Sequence, residues 1–191
     1  FRVFDINGKN LNLYEINGIE SLTGFGATYL KNYRDFLWLL GKHLNTPYES
    51  FFTFSSIDNI RILKLLNTKY VITDISTHNQ DLEKIGRNIY KIKNTFPRAY
   101  IDSNSNIIPI NISKYEPNKI ELQTNLQTPG NLILSENWYP GWKAYDNNKE
   151  IKISKTNYIF RSIYLEKGQH NVKFIYDPFP YKFGKAITIL S

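Results

Sequence analysis

The run from Ser135 to Tyr176 constrains the fold more than any other part of the chain. It contains Glu136-Asn137-Trp138-Tyr139-Pro140-Gly141-Trp142-Lys143-Ala144-Tyr145, then Ile151-Lys152-Ile153, Asn157-Tyr158-Ile159-Phe160-Arg161-Ser162-Ile163-Tyr164 and Val172-Lys173-Phe174-Ile175-Tyr176. Each piece is short, rich in β-branched and aromatic residues, and bounded by polar or glycine-containing breaks, which is the punctuation of antiparallel strands. Two of the three tryptophans flank a Tyr-Pro-Gly turn. In the last piece Val172, Phe174 and Tyr176 recur at period two, so one face is meant for a core.

The same spacing extends backwards. Strands are predicted at Ile107–Ile112, Lys119–Thr124, Asn131–Glu136, Trp142–Tyr145, Glu150–Ser154, Ile159–Tyr164 and Asn171–Tyr176. Short strands at such intervals predict a two-sheet β-sandwich, jelly-roll-like in kind. Asn147-Asn148 suits a tight hairpin, because Asn tolerates left-handed backbone. Gly168 is expected to turn the last hairpin. Asp177-Pro178-Phe179-Pro180 cannot continue a sheet interior, and Phe183 to Leu190 looks like the first turns of a membrane helix cut short.

The first half reads differently. Phe1 to Ile6 is a strand closed by Asn7-Gly8, and Gly18 to Gly26 a loop. From Ala27 to His43, Tyr29, Leu30, Tyr33, Phe36, Leu37 and Leu40 recur at helical spacing; the stripe suits either a core or a bilayer surface. Ser55 and Asp58 form a capping-box variant ahead of a helix through Ile57, Ile60, Leu63 and Leu66. That helix leads into a strand at Lys69–Ile75, and Asp81–Lys93 reads as a hairpin through Gly86-Arg87. Pro97 to Ile101 begins the sheet domain or joins it to the first half, and the polar loop Asp102–Asn106 is the best boundary. The expected class is α+β: residues 1–102 an α/β subdomain with two helices and a short sheet, 103–182 the β-sandwich, and 183–191 the start of the truncated membrane helix.

Composition narrows the function classes. The 191 residues are 41 % hydrophobic and 21 % charged, enough apolar surface to fold without disulfides, and there is no cysteine to make one. A chain that opens at Phe1 and has no methionine is expected to be a piece of something longer or processed. The net charge of +7 favours an anionic partner, teichoic acid, a phospholipid surface or nucleic acid, or else reflects lysines scattered over solvated strand faces. No run of like charge supports a nucleic-acid arm. His43, His78 and His170 lack metal-ligand spacing, and there is no P-loop, G-x-S-x-G or H-E-x-x-H, so neither a metal nor another cofactor is predicted. Glu136 and Asp146 are the carboxylates to watch for glycoside hydrolysis. Asn111-Ile112-Ser113 matches a glycosylation acceptor by chance.

Aromatic residues carry the functional signal: 15 % of the chain, with 14 tyrosines. Sugar rings present C–H faces that stack on Trp and Tyr, while their hydroxyls need fixed donors. The candidate glycan-binding residues are Trp138, Tyr139, Trp142, Tyr145, Asn157, Tyr158 and Arg161, with Lys143 and Phe160 beside them. The competing reading places Trp142 and Phe160 between the sheets and pairs Arg161 with a carboxylate, Glu136 or Asp146.

These pieces together resemble a known family. N-W-Y-P-G-W-K-A-Y, N-N-K-E-I, T-N-Y-I-F-R-S-I-Y-L, G-Q-H-N-V-K-F-I-Y-D-P and F-G-K-A-I are similar to the C-terminal extracytoplasmic segment of the bacterial YfhO-like membrane proteins. Leu65-Leu66-Asn67-Thr68-Lys69-Tyr70-Val71-Ile72 and Pro97-Arg98-Ala99-Tyr100 resemble earlier parts of it. The resemblance implies a multi-pass parent at the bacterial cell membrane related to the GT-C glycosyltransferases, which use polyprenyl-phosphate sugars to decorate cell-surface polymers. It implies a catalytic acid in membrane loops outside this chain. The chain itself would be a non-catalytic extracytoplasmic domain whose partners are its own transmembrane domain and a cell-surface glycan or teichoic acid. The alternative is a purely structural or protein-interaction domain packing on the transmembrane core.

Overall fold

In the computed structural model, residues 1–6, 13–23, 30–42, 53–75, 77, 79–104 and 106–178 are described, and they fall into two units, Phe1–Phe96 and Pro97–Ser191. The described residues are mostly β and form three sheets. The first unit contains β1 (Arg2–Asp5), α1 (Leu13–Ile16), β2 (Glu20–Ser21), α2 (Lys31–Trp38), α3 (Ile60–Leu65), β3 (Thr68–Ile72), β4 (Leu82–Lys84) and β5 (Ile89–Ile92). Its sheet has the order β2-β1-β3-β5-β4. β1 is parallel to both β2 and β3, whereas β5 runs antiparallel to β3 and β4. Phe4, Phe36, Leu37, Phe54, Leu63 and Val71 are fully enclosed.

Helix α2 forms on the predicted stripe but is shorter than the periodicity suggests; residues 24–29 and 43–52 lie outside the described residues. Phe36 and Leu37 enter the core, while Trp38 is exposed and carries Arg34 over its ring at 4.6 Å. The predicted capping box does not form. Asn59 is the N-cap of α3 and makes no side-chain cap bond. Ser56 Oγ instead accepts the Lys42 N–H, and Ser55 Oγ donates to the Lys42 carbonyl. Strand β3 stops at Ile72 rather than Ile75 because the Thr73 hydroxyl accepts the Ile75 N–H and turns the chain.

The second unit contains β6 (Ala99–Ser103), β7 (Asn106–Pro109), β8 (Ile112–Glu116), β9 (Lys119–Leu126), β10 (Gly130–Asn137), β11 (Trp142–Asp146), β12 (Lys149–Ile151), β13 (Ser154–Thr156), β14 (Phe160–Leu165) and β15 (Gly168–Tyr176). Two five-stranded antiparallel sheets result, β13-β14-β10-β6-β7 and β12-β11-β15-β9-β8. They share one core: Ala99, Ile101, Leu132, Leu134, Ile163 and Leu165 from the first meet Ile120, Leu122, Leu126, Ala144, Val172 and Phe174 from the second. Burying side chains of this size stabilises by roughly 1.5–3 kcal/mol each, so the alternating pattern fixes which face of every strand turns inward.

The sequence expectations are corrected in four places. The strand expected over Ile107–Ile112 ends at Pro109, and a separate strand not expected beyond Ile112, Ile112–Glu116, pairs with β9, while Ala99–Ser103 is a full strand paired with β10 and β7. The single strand expected over Glu150–Ser154 divides, because the chain leaves β12 in one sheet and enters β13 in the other. Gly168, at φ +136°, does not turn a hairpin: β14 and β15 belong to different sheets, and it begins the strand after the crossing. Asn147 and Asn148, at φ +48° and +67°, do close the β11–β12 hairpin. Residues 179–191, with the predicted membrane-helix start at 183–191, lie outside the described residues.

Candidate functional site

The turn Trp138-Tyr139-Pro140-Gly141 is where the chain passes from β10 in one sheet to β11 in the other, so its aromatics stand at the end of both sheets. The Trp138 N–H donates to the Ile159 carbonyl at 2.5 Å, which ties this turn to the loop between β13 and β14. Gly141 is required here. It sits at φ +99°, and a Cβ would lie 3.0 Å from both the Tyr176 ring and the Pro178 side chain.

Trp138, Tyr139 and Tyr158 expose 36 %, 44 % and 68 % of their surface. Tyr139 and Trp142 both lean on Tyr176, with ring centroids 6.4 and 5.4 Å away. Tyr158 reaches solvent because its backbone is left-handed at φ +70°, next to Asn157 at φ +43°. A bulky non-glycine residue there is strained by about 1–3 kcal/mol, and such strain gathers at functional positions. The Asn157 side-chain amide donates to the Tyr100 hydroxyl at 3.3 Å, which holds the loop.

Trp142 is half-buried, packed on the shared core, and covers Arg161. The Arg161 guanidinium carbon lies 3.8 Å from the Trp142 ring centre and 5.7 Å from that of Phe174. Arg161 is only 2 % exposed, and burial pulls its pKa down to about 10, while the charge of Glu136 and the nearby Tyr115 push it back up.

Neither expected carboxylate holds Arg161. Arg98 takes Glu136, with Nε and Nη2 each 2.7 Å from Oε1. Tyr115 donates its hydroxyl to the same oxygen at 3.1 Å, accepts a bond from Arg98 Nη2, and lies flat under that guanidinium at 4.1 Å. A β-bulge makes this possible: Leu134 pairs with Arg161 and Asn137 with Phe160, so Ser135 and Glu136 both face a single step of β14. Asp146 is engaged elsewhere by His170, which is buried, with Nδ1 2.8 Å from Asp146 Oδ2 and Nε2 2.9 Å from the Glu166 carbonyl. Glu136 and Asp146 thus serve separate networks and do not make a carboxylate pair.

Of the sequence candidates, Trp138, Tyr139, Trp142, Asn157, Tyr158 and Arg161 come to this end of the unit. Tyr145 does not join them. Ala144 of β11 faces the core and strand alternation turns Tyr145, like Lys143, to the other face of the sheet. Phe160 is fully buried on the face of β14 opposite Arg161. Sequence reasoning missed Arg98, Tyr115 and Tyr176 as members. Tyr176 could have been found from strand parity, since it ends the inward series Val172, Phe174. His43 and His78 lie outside the described residues, which contain no group of three or more His, Cys, Asp or Glu able to hold a metal.

Residues 103–188 match the family model described as bacterial membrane protein YfhO, a span that takes in Trp138 through Arg161 but not Leu65–Ile72 or Pro97–Tyr100. No curated protein and no solved structure matches the chain. Among the described residues no helix is long and apolar enough to cross a membrane. Over residues 103–188 the chain is therefore similar to the bacterial membrane protein YfhO family.

Proposed function

We propose that the second unit is a β-sandwich belonging to the extracytoplasmic part of a GT-C-related membrane protein, and that its aromatic end binds a cell-surface glycan without itself catalysing sugar transfer. The exposure of Trp138, Tyr139 and Tyr158 at one end carries this reading. Rings that served packing alone would be covered, whereas exposed clustered aromatics mark a binding surface. The tilted rings of Tyr139 and Trp142, both leaning on Tyr176, supply the apolar faces that sugar rings use. The Asn157 loop places a polar amide beside these rings. In the parent, such a surface holds an acceptor polymer for transfer near the membrane.

The test is binding of the 191-residue chain to a panel of teichoic acids and neutral glucans at two salt concentrations, with Trp138→Ala beside wild type. Saturable binding that weakens only mildly in salt and is lost in Trp138→Ala supports the proposal. Absent binding, or binding that salt abolishes and Trp138→Ala leaves intact, assigns the unit to packing on its own transmembrane region.

A further inference from the structure

Arg161 is chemically unfinished. Its Nε and Nη1 are buried and meet no acceptor among the described residues. A guanidinium left this way bears most of the desolvation cost of a buried charge without the hydrogen bonds that usually repay it. The nearest carboxylate acting on it, Glu136, is already held by Arg98 and Tyr115. The Trp142 ring covers the guanidinium from one side, and the exposed rings of Trp138 and Tyr139 lie on the turn that leads into Trp142.

We propose that Arg161 is an anion subsite, whose Nε–H and Nη1–H donate to a carboxylate or phosphate oxygen borne by the same glycan that stacks on Trp138, Tyr139 and Tyr158. The inference rests on the glycan-binding reading and narrows it to an acidic polymer. Tyr115, 45 % exposed, is held beside this site by its hydroxyl bond to Glu136 and by the Arg98 guanidinium over its ring. The anion then replaces water at a cation already stripped of it, where charge-assisted bonds are strongest. Trp142, pressed against the guanidinium, holds the donors in place.

The experiment measures thermal unfolding of wild type and Arg161→Met against inorganic phosphate, glucuronate and a neutral glucose disaccharide, with ionic strength held constant by chloride. In wild type, phosphate or glucuronate is expected to raise Tm by about 3–6 °C at ten times the half-saturating concentration, with saturation. Arg161→Met loses the shift. Which of the two anions acts distinguishes a phosphate-bearing polymer from an acidic sugar. In parallel, the Arg161 Nε–H resonance of wild type is followed by NMR, so an unstable variant does not blunt the test; it should move saturably with the active anion. Equal Tm shifts in both proteins, or no saturable response of Tm and of the resonance to either anion, overturns the subsite. Response to the disaccharide, and its loss in Trp138→Ala, reads the aromatic surface separately.

Discussion

His170 and Asp146 form a buried contact in which Nδ1 lies 2.8 Å from Oδ2, and the other ring nitrogen points at the Glu166 carbonyl, 2.9 Å away. Both partners are acceptors, so the imidazole ties β11 to the start of β15 and to the crossing before it. Its removal strands Asp146, whose Oδ1 is already buried without a partner. His170→Ala is expected to destabilise by about 2–3 kcal/mol, read as a lower urea midpoint with unchanged slope. A loss under 0.5 kcal/mol would show the contact to be incidental.

Arg161 gives a pH signature with a definite sign. Its folded pKa of about 10 lies below that of the free group, so between the two values the unfolded chain holds a proton that the folded chain has released. Stability contributed by this group therefore rises with pH across that window, by up to about 1.4 kcal/mol per pH unit, and below it the buried charge is a constant cost. Wild type should gain on Arg161→Met as pH climbs from 9 to 11. Parallel denaturation profiles for the two proteins would contradict this.

Tyr158 should separate stability from binding. Tyr158→Asn places a residue that accepts left-handed backbone at φ +70° and is expected to raise stability by about 0.5–1 kcal/mol. The same change removes an exposed ring and should weaken glycan binding several-fold. If stability falls by more than 0.5 kcal/mol instead, the ring is packing rather than waiting for a ligand.

Gly141→Ala tests the other side of the turn. A methyl group at φ +99° would crowd Tyr176 and Pro178 at 3.0 Å, and the rings Tyr139 and Trp142 lean on Tyr176. We expect a loss of about 1–3 kcal/mol together with a changed near-ultraviolet circular dichroism spectrum, since the stack must shift. An unaltered spectrum would mean that the stack does not depend on this turn.

Much of the sheet pattern was legible because alternation leaves a trace: Val172, Phe174 and Tyr176 showed the inward face of β15 directly. The edge strand β8, Ile-Ser-Lys-Tyr-Glu, left none, since four of its five residues are exposed and no apolar period survives. Gly168 misled because a positive φ serves a sheet crossing as well as a hairpin. The exposed aromatic turn could be anticipated from Tyr-Pro-Gly, but the partner of Arg161 could not. Sequence shows which carboxylates exist and not which are already taken; Glu136 is claimed by Arg98, 38 residues away, and a ring-stacked guanidinium has no linear signature.

The passage of the chain back and forth between the two sheets has a consequence for how the second unit comes apart. β7 leads to β8, β9 to β10, β10 to β11, β12 to β13 and β14 to β15, each step changing sheets. Neither sheet can peel away while the other persists, because every departure drags a covalently linked neighbour out of the opposite layer. Melting should then be all-or-none across the unit, and slow backbone amide exchange should report one shared opening energy in β10 and β15 instead of two. The aromatic end, stitched by one of these crossings, inherits the full stability of both layers.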